Sequence, residues 1–369
     1  MTDKVLRLLF GLFVGVYVAR YLGPERFGLL SFAMSFVAIL GAFANLGLNG
    51  IVVRNAVLHP ESKDELLGTA FGLRLVGGLV LIGIVSVAIH FTDSDPLTRV
   101  LVIIIAVGYF LQAFQVIEFY FHSLVLVRLA SIGSISGLIA SSTMKLVLIW
   151  SGASLVWFAW AFVIDHAVKG LVFCIMYVKQ RISLGNWRFQ IDQAKILIKD
   201  SWPLMLSGFA VMIYMRIDQV MIKMMLDNAS VGNYAVAVKL SELWYFVPVA
   251  ISQSLFPAIL LAKKKNQELY VERVQGLFDL IVFLSIIFAL PLSLFSSQII
   301  CVLFGESYAN AHSVLRIHAW AGVFVGLNNA AWRWHMAENN QKLAFFRLLA
   351  GALLNILLNY YLIPAMNIV

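Results

Sequence analysis

Charge is scarce in this sequence. Asp, Glu, Lys and Arg make up 12% of its 369 residues, where an ordinary soluble domain carries about a quarter. That shortage excludes a typical cytosolic enzyme. Cysteine is scarcer still. Cys174 and Cys301 lie far apart without metal-type spacing, which argues against a disulfide framework or a zinc site. Eight prolines are spread over the whole length. No small-residue cleavage site follows the first apolar run, so Met1–Tyr21 is not read as a cleavable signal peptide. There is no G-x-x-x-x-G-K phosphate loop, no H-E-x-x-H and no G-x-S-x-G. The sequence therefore predicts neither an ATPase nor any enzyme built on those motifs, and it implies no cofactor and no metal.

What the chain has instead is apolar surface. The apolar residues are 61% of the total. A membrane-spanning helix takes about 20 residues, so eleven would use about 220, close to the whole apolar content. The runs read as Val5–Ala19, Leu29–Leu48, Thr69–His90, Val100–Phe121, Ile132–Trp150, Leu155–Val178, Pro203–Leu226, Ala235–Leu261, Leu277–Phe295, Ile317–Met336 and Phe345–Ile363. The expected fold is all-α and polytopic, because lipid forces each backbone to satisfy its own polar groups. Pro24, Pro60, Pro96 and Pro364 fall in turns or at ends, and Pro203 suits a first-turn position. Pro248 and Pro257 share the eighth span, which should be kinked or broken.

The net charge of +8 would suggest nucleic acid in a soluble protein. Here it sorts by membrane side. With the amino terminus inside, the inner loops carry Lys4, Arg7, Arg54, Lys63, Arg128, the cluster from Lys179 to Lys199, Lys263–Lys265, Arg273, Lys342 and Arg347, while the outer loops carry only Arg20, Arg26, Arg99 and Arg316. The positive-inside rule thus places the amino terminus in the cytoplasm. The longest inner connection includes an amphipathic stretch, Ile191–Ile198, which reads as an interfacial helix joining two halves.

Leu22-Gly23-Pro24-Glu25-Arg26-Phe27-Gly28 and Leu226-Asp227-Asn228-Ala229-Ser230-Val231-Gly232 share Leu and Gly at an offset of 204, and Ala33 matches Ala237 at the same offset. Six spans separate the two turns, so both halves have one orientation. Parallel repeats about an axis along the membrane normal are a transporter architecture with the substrate site between them. The expected organisation is an N-terminal lobe over 1–180, a cytoplasmic amphipathic linker over 181–200 and a C-terminal lobe over 201–369. Two six-helix lobes would need a twelfth span, so a last helix is expected to be missing.

Ala19-Arg20-Tyr21-Leu22-Gly23-Pro24-Glu25-Arg26-Phe27-Gly28-Leu29-Leu30 resembles the first outer turn of the polysaccharide flippases, the O-antigen and capsule branch of the multidrug/oligosaccharidyl-lipid/polysaccharide exporter superfamily. Leu46-Gly47-Leu48 with Val53-Arg54 is similar to the end of that family's second helix. Arg216-Ile217-Asp218-Gln219 followed by Val231-Gly232-Asn233-Tyr234-Ala235-Val236-Ala237 is similar to its seventh and eighth helices. Asn355-Ile356-Leu357-Leu358-Asn359-Tyr360 before Ile363-Pro364 is similar to its eleventh. The resemblance implies flipping of a polyprenyl-pyrophosphate-linked oligosaccharide to the outer leaflet of the bacterial plasma membrane. Its implied partners are that lipid-linked glycan, membrane lipid and other polysaccharide-assembly membrane proteins.

Ionisable residues inside spans cost at least about 2.5–3.5 kcal/mol at a helix centre, and they face a cavity or a partner. This chain has seven basic ones (Arg74, Lys145, Lys169, Arg216, Lys223, Lys239 and Arg333) and four acidic ones (Glu118, Asp165, Asp218 and Glu242). Asp165 with Lys169 and Lys239 with Glu242 are spaced to neutralise each other on one helix. Glu118 with His122 lacks a third ligand for a metal. A pyrophosphate headgroup is expensive to desolvate, so Arg216, Lys223, Arg74, Lys145 and Arg333 are the candidate substrate-binding cations. Asp218, Asp165 and Glu118 are the candidates for carrying a coupling proton or Na⁺. The pairs Gly11/Gly15, Gly68/Gly72, Gly133/Gly137 and Gly322/Gly326 suit close helix contact. Trp332 and Trp334 flank Arg333, either as part of an interfacial belt or as a stack for sugar rings. The alternatives are a drug/cation antiporter of the same superfamily, a membrane glycan polymerase or ligase acting from the outer loop with Glu306 and His312, and a non-transporting scaffold.

Overall fold

In a computed structural model that describes residues 2–92, 95–338 and 340–366, the described residues form a succession of helices with no strand among them. The helices are α1 Thr2–Asn45, α2 Leu48–Leu58, α3 Lys63–Thr92, α4 Pro96–Leu111, α5 Val116–Ser123, α6 Val127–Trp150, α7 Leu155–Lys179, α8 Ile191–Met225, α9 Asn228–Ser241, α10 Phe246–Lys265, α11 Gln267–Leu294, α12 Ser296–Phe304, α13 Ala311–His318, α14 Ala321–Ala337 and α15 Gln341–Met366. The side chains of Lys4, Arg7 and Lys342, counted above to the inner side, lie outside those described.

Nine stretches among the described residues are long and apolar enough to cross a membrane. Ten of the eleven sequence runs fall on this set. The stretch Phe10–Leu58 holds the first two spans, and the tenth lies on α14, which has 17 residues. The protein is a multi-pass membrane protein with an all-α fold. Contacts divide the chain into two units, Met1–Tyr21 with Leu29–Val220, and Leu22–Gly28 with Met221–Val369.

The turn after the first span shrinks to one residue. Gly23 has φ 72° and ψ 170°, a backbone that glycine adopts without penalty. Helix resumes at Pro24, whose missing N–H costs nothing in a first turn. The core packs Leu48, Leu66, Leu67, Phe121, Phe173 and Tyr177 from α2, α3, α5 and α7. Gly68 and Gly72, expected to receive another helix, receive an extended strap instead. The Arg188 backbone crosses Gly68 and the Phe189 ring covers Gly72. Arg188 N–H donates to the Asp64 carbonyl (3.3 Å) and Gln190 N–H to Thr69 Oγ1 (3.0 Å). Small residues admit any close backbone, helical or extended, so spacing alone does not name the partner. Gly11 meets nothing within 4 Å.

The stretch Ile191–Ile198 is the beginning of α8 rather than a separate helix. Ala194 and Leu197 pack into the first unit's core while Ile191, Ile196 and Ile198 are exposed. Pro203 therefore lies inside a long helix, where it removes one backbone bond without ending it. Further along α8, Ser35 Oγ–H donates to Gln219 Oε1 at 2.8 Å in a buried contact.

In the second unit the eighth span breaks as its prolines predict. Between α9 and α10 a 3₁₀ turn covers Glu242–Trp244. Pro248 lies four residues after Trp244, and its ring excludes the helical position of that carbonyl. The core gathers Ile259, Tyr270, Leu277, Ile281 and Ala330. At one end, Lys263 Nζ is 2.9 Å from Glu338 Oε2 and donates to the Ala337 carbonyl (2.7 Å), while Tyr270 O–H donates to Glu338 Oε1 at 2.6 Å. These bonds tie the ends of α10, α11 and α14 together.

Candidate functional site

Four of the eight candidate residues meet inside the first unit. Arg74, on α3, is 2% exposed. Its Nη2 donates to Asn45 Oδ1 at 2.5 Å and to Gln115 Oε1 at 3.3 Å. The guanidinium lies 5.3 Å from the Phe119 ring centre and interacts electrostatically with Glu118 on α5. Glu118 also accepts from Ser134 Oγ–H (3.3 Å), with His122 Nε2 at 3.9 Å one turn on.

Beside this lies a second group. Asp165 Oδ2 is 3.1 Å from Lys169 Nζ and 3.6 Å from His166 Nδ1, all on α7. Lys145, on α6, interacts electrostatically with Asp165. Gln112 Nε2 is 3.1 Å from His166 Nε2, and His166 feels the charge of Arg74, which links the two groups. The glycines of α6 make this possible. A Cβ on Gly137 would stand 2.5 Å from the Asp165 carbonyl, and one on Gly133 would enter the Phe173 ring. Only glycine lets α6 approach α7 so closely.

The turn between α4 and α5 matters equally. Residues Gln112–Gln115 form a 3₁₀ segment, in which side chains three apart eclipse. Gln112 and Gln115 therefore project together, one toward His166 and the other toward Arg74. Sequence reasoning missed His166, Asn45, Gln112 and Gln115. The available signal was two glutamines three apart in an otherwise apolar run.

Three further candidates lie on α8, two of them in the first unit. Arg216 is half-buried and interacts electrostatically with Tyr109 of α4, and Asp218 interacts with Tyr214. Gln219, bonded to Ser35, fixes the rotation of this stretch. The last two candidates belong to the second unit. Lys223 is half-buried near the end of α8, and the Arg333 guanidinium stands 5.7 Å from the Phe256 ring and 3.9 Å from Met336 Sδ. After α12, Glu306 and His312 are exposed, and the His312 ring closes onto the Ala309 carbonyl of its own turn. Among the described residues no group of three His, Cys, Asp or Glu could hold a metal ion.

Comparison with known proteins agrees with this fold. The family model described as polysaccharide biosynthesis protein matches residues 1–262, and the MatE model matches residues 203–361. The "Probable low-salt glycan biosynthesis flippase" of Haloferax volcanii is 22% identical over 206 residues, which is 55% of this chain and 43% of that protein. The chain thus matches less than half the length of that curated relative. Among solved structures, the lipid II flippase MurJ in its inward closed conformation superposes with a TM-score of 0.76 at 16% identity, covering 100% of this chain and 82% of that one. An inward-facing multidrug resistance MATE family transporter of the MOP superfamily also gives 0.76, at 15% identity, covering 94% and 84%.

Proposed function

Since the chain belongs to the polysaccharide biosynthesis protein family, within the superfamily that also holds the MATE transporters, we propose that it flips a polyprenyl-pyrophosphate-linked oligosaccharide across the bacterial plasma membrane by alternating access. The observation that carries this reading is the family match over residues 1–262. It is a transporter family, which sets aside the polymerase and ligase alternative. The excess of cations over carboxylates within the spans supports an anionic cargo. In this reading the amino terminus is cytoplasmic, and the partners are the lipid-linked glycan, membrane lipid and other polysaccharide-assembly membrane proteins.

Within that proposal the residues take different parts. Arg216, Lys223 and Arg333 are each cations that the pyrophosphate would draw on. Arg74 and Lys145 interact electrostatically with Glu118 and Asp165, which favours a part for these two in holding the carboxylates rather than the headgroup. Asp165, Glu118 and Asp218 are where a coupling proton or Na⁺ would be exchanged.

The competing cargo is an organic cation, as in the drug-transporting branch. Proteoliposomes given a fluorescent polyprenyl-pyrophosphate oligosaccharide in one arm and a cationic dye in the other, each with and without a pH gradient, separate the two. The proposal expects movement of the lipid and none of the dye. The reverse result would reassign the chain to cation export.

A further inference from the structure

Arg347 and Asn328 sit on successive helices of the second unit, and Arg347 Nη2 donates to Asn328 Oδ1 at 2.7 Å. Both side chains are exposed. Asn328 is flanked on α14 by Phe324 four residues before and Trp332 four residues after, a spacing that puts all three on one face. Phe324 is 68% exposed and Trp332 is 40% exposed. The result is a guanidinium held in place by a carboxamide, with an aromatic ring on each side along the helix.

This face is costly if it meets only lipid. Arg347 opens the membrane-length stretch Phe346–Met366, and Asn328 is in the middle of α14. Polar groups at such positions normally meet water, a partner or a ligand. One guanidinium N–H is used on Asn328. The others remain for a ligand, in the planar fork that fits two oxygens of a phosphate. The Asn328 amide adds N–H donors beside it. An exposed indole is a flat, apolar surface with a polar edge, suited to the C–H face of a sugar ring.

We propose that Arg347, Asn328 and Trp332 form a subsite for the junction between pyrophosphate and first sugar of a lipid-linked glycan. Arg347 binds phosphate oxygens, Asn328 orients Arg347 and donates to the same group, and Trp332 stacks on the sugar. The inference rests on the flippase reading and deepens it. An ordinary phospholipid headgroup would use the arginine and leave the carboxamide and the indole without a task. A pyrophosphate-linked sugar uses all three. Arg347 was counted from sequence as a loop charge, and only its bond to Asn328 brings it onto the face of α14.

The test is equilibrium binding to the full chain in nanodiscs of zwitterionic lipid. The probes are radiolabelled undecaprenyl pyrophosphate and the same lipid carrying one hexose, each with and without excess phosphatidylglycerol. Arg347→Gln should weaken both probes about tenfold or more, with Arg347→Lys between it and the parent. Trp332→Leu should weaken only the hexose-bearing probe, roughly fivefold. Both positions are exposed, and a thermal melt confirms that each variant folds. Unchanged affinities in folded variants would overturn the subsite while leaving the flippase reading intact. Displacement of both probes by phosphatidylglycerol would overturn it in favour of a bulk-lipid headgroup site. Failure of the parent protein to bind either probe would overturn the flippase reading and the subsite together.

Discussion

Gly28 and Gly232 are 204 residues apart, and each lies against the residue four places before the other. A Cβ on Gly28 would stand 1.8 Å from the Asn228 carbonyl oxygen, and one on Gly232 would stand 2.0 Å from the Pro24 carbonyl oxygen. Pro24 and Asn228 are themselves 204 apart. The contact is reciprocal, as in a two-fold interface where residue i meets j and j meets i. Both glycines belong to the second unit. The weak sequence repeat at Leu22–Gly28 and Leu226–Gly232 thus has a physical counterpart in two helix starts that cross at the same register.

Because the atoms opposing these glycines are backbone, neither side can yield by rotating a side chain. Gly28→Ala and Gly232→Ala should each destabilise the protein by about 1–3 kcal/mol. Gly11→Ala, with open space around it, should be neutral or stabilising by up to about 1 kcal/mol. Thermal unfolding in detergent compares the three. Equal melting temperatures for all would contradict the crossing.

The spans were legible in the sequence because lipid leaves helices few alternatives, and the break before Pro248 was legible because proline acts locally. The pair Asp165–Lys169 could be read from its spacing on one helix. Arg74 with Glu118 could not, since the two sit on separate helices whose packing no single-helix period encodes. Nor could the turn at Gln112–Gln115, which contains neither glycine nor proline. Gly68 and Gly72 announced a close approach without naming the strap that makes it.

Arg74 is buried with three polar partners and an aromatic ring. Replacing it by Leu would leave the Asn45 and Gln115 side-chain oxygens without their donor, and a buried acceptor left unsatisfied costs about 1–3 kcal/mol. Arg74→Lys should recover only part of this, because an ammonium cannot span Asn45 and Gln115 as the guanidinium fork does. Chemical denaturation of both variants should rank them parent, Lys, Leu. A Lys variant as stable as the parent would show that the fork geometry is immaterial.

Hydrogen bonds from Tyr270 and Lys263 hold the Glu338 carboxyl below the usual carboxylate range. A carboxylate whose folded pKa is depressed contributes stability above its unfolded value, and that contribution fades as pH falls through the folded value. Melting temperature should therefore drop on acidification, and less steeply in Glu338→Gln. Tyr270→Phe, which removes one of the two hydrogen bonds, should lie between them. Parallel profiles for the three proteins would remove Glu338 from the account.

If Asp218 carries a coupling proton, Asp218→Asn should flatten the pH dependence of transport while leaving the protein folded. An unchanged rate and pH profile would take Asp218 out of the coupling scheme and leave Asp165 and Glu118.

The central claim is that this chain moves a pyrophosphate-linked glycan lipid between leaflets. Purified protein in liposomes with a fluorescent polyprenyl-pyrophosphate oligosaccharide, followed by bleaching with a membrane-impermeant reductant, measures this directly. The account predicts that nearly all of the label becomes accessible with the parent protein, and that Arg216→Ala slows the loss about tenfold or more, as expected for removing a charge-assisted contact. Folded parent protein that leaves the inner-leaflet half of the label protected would contradict it.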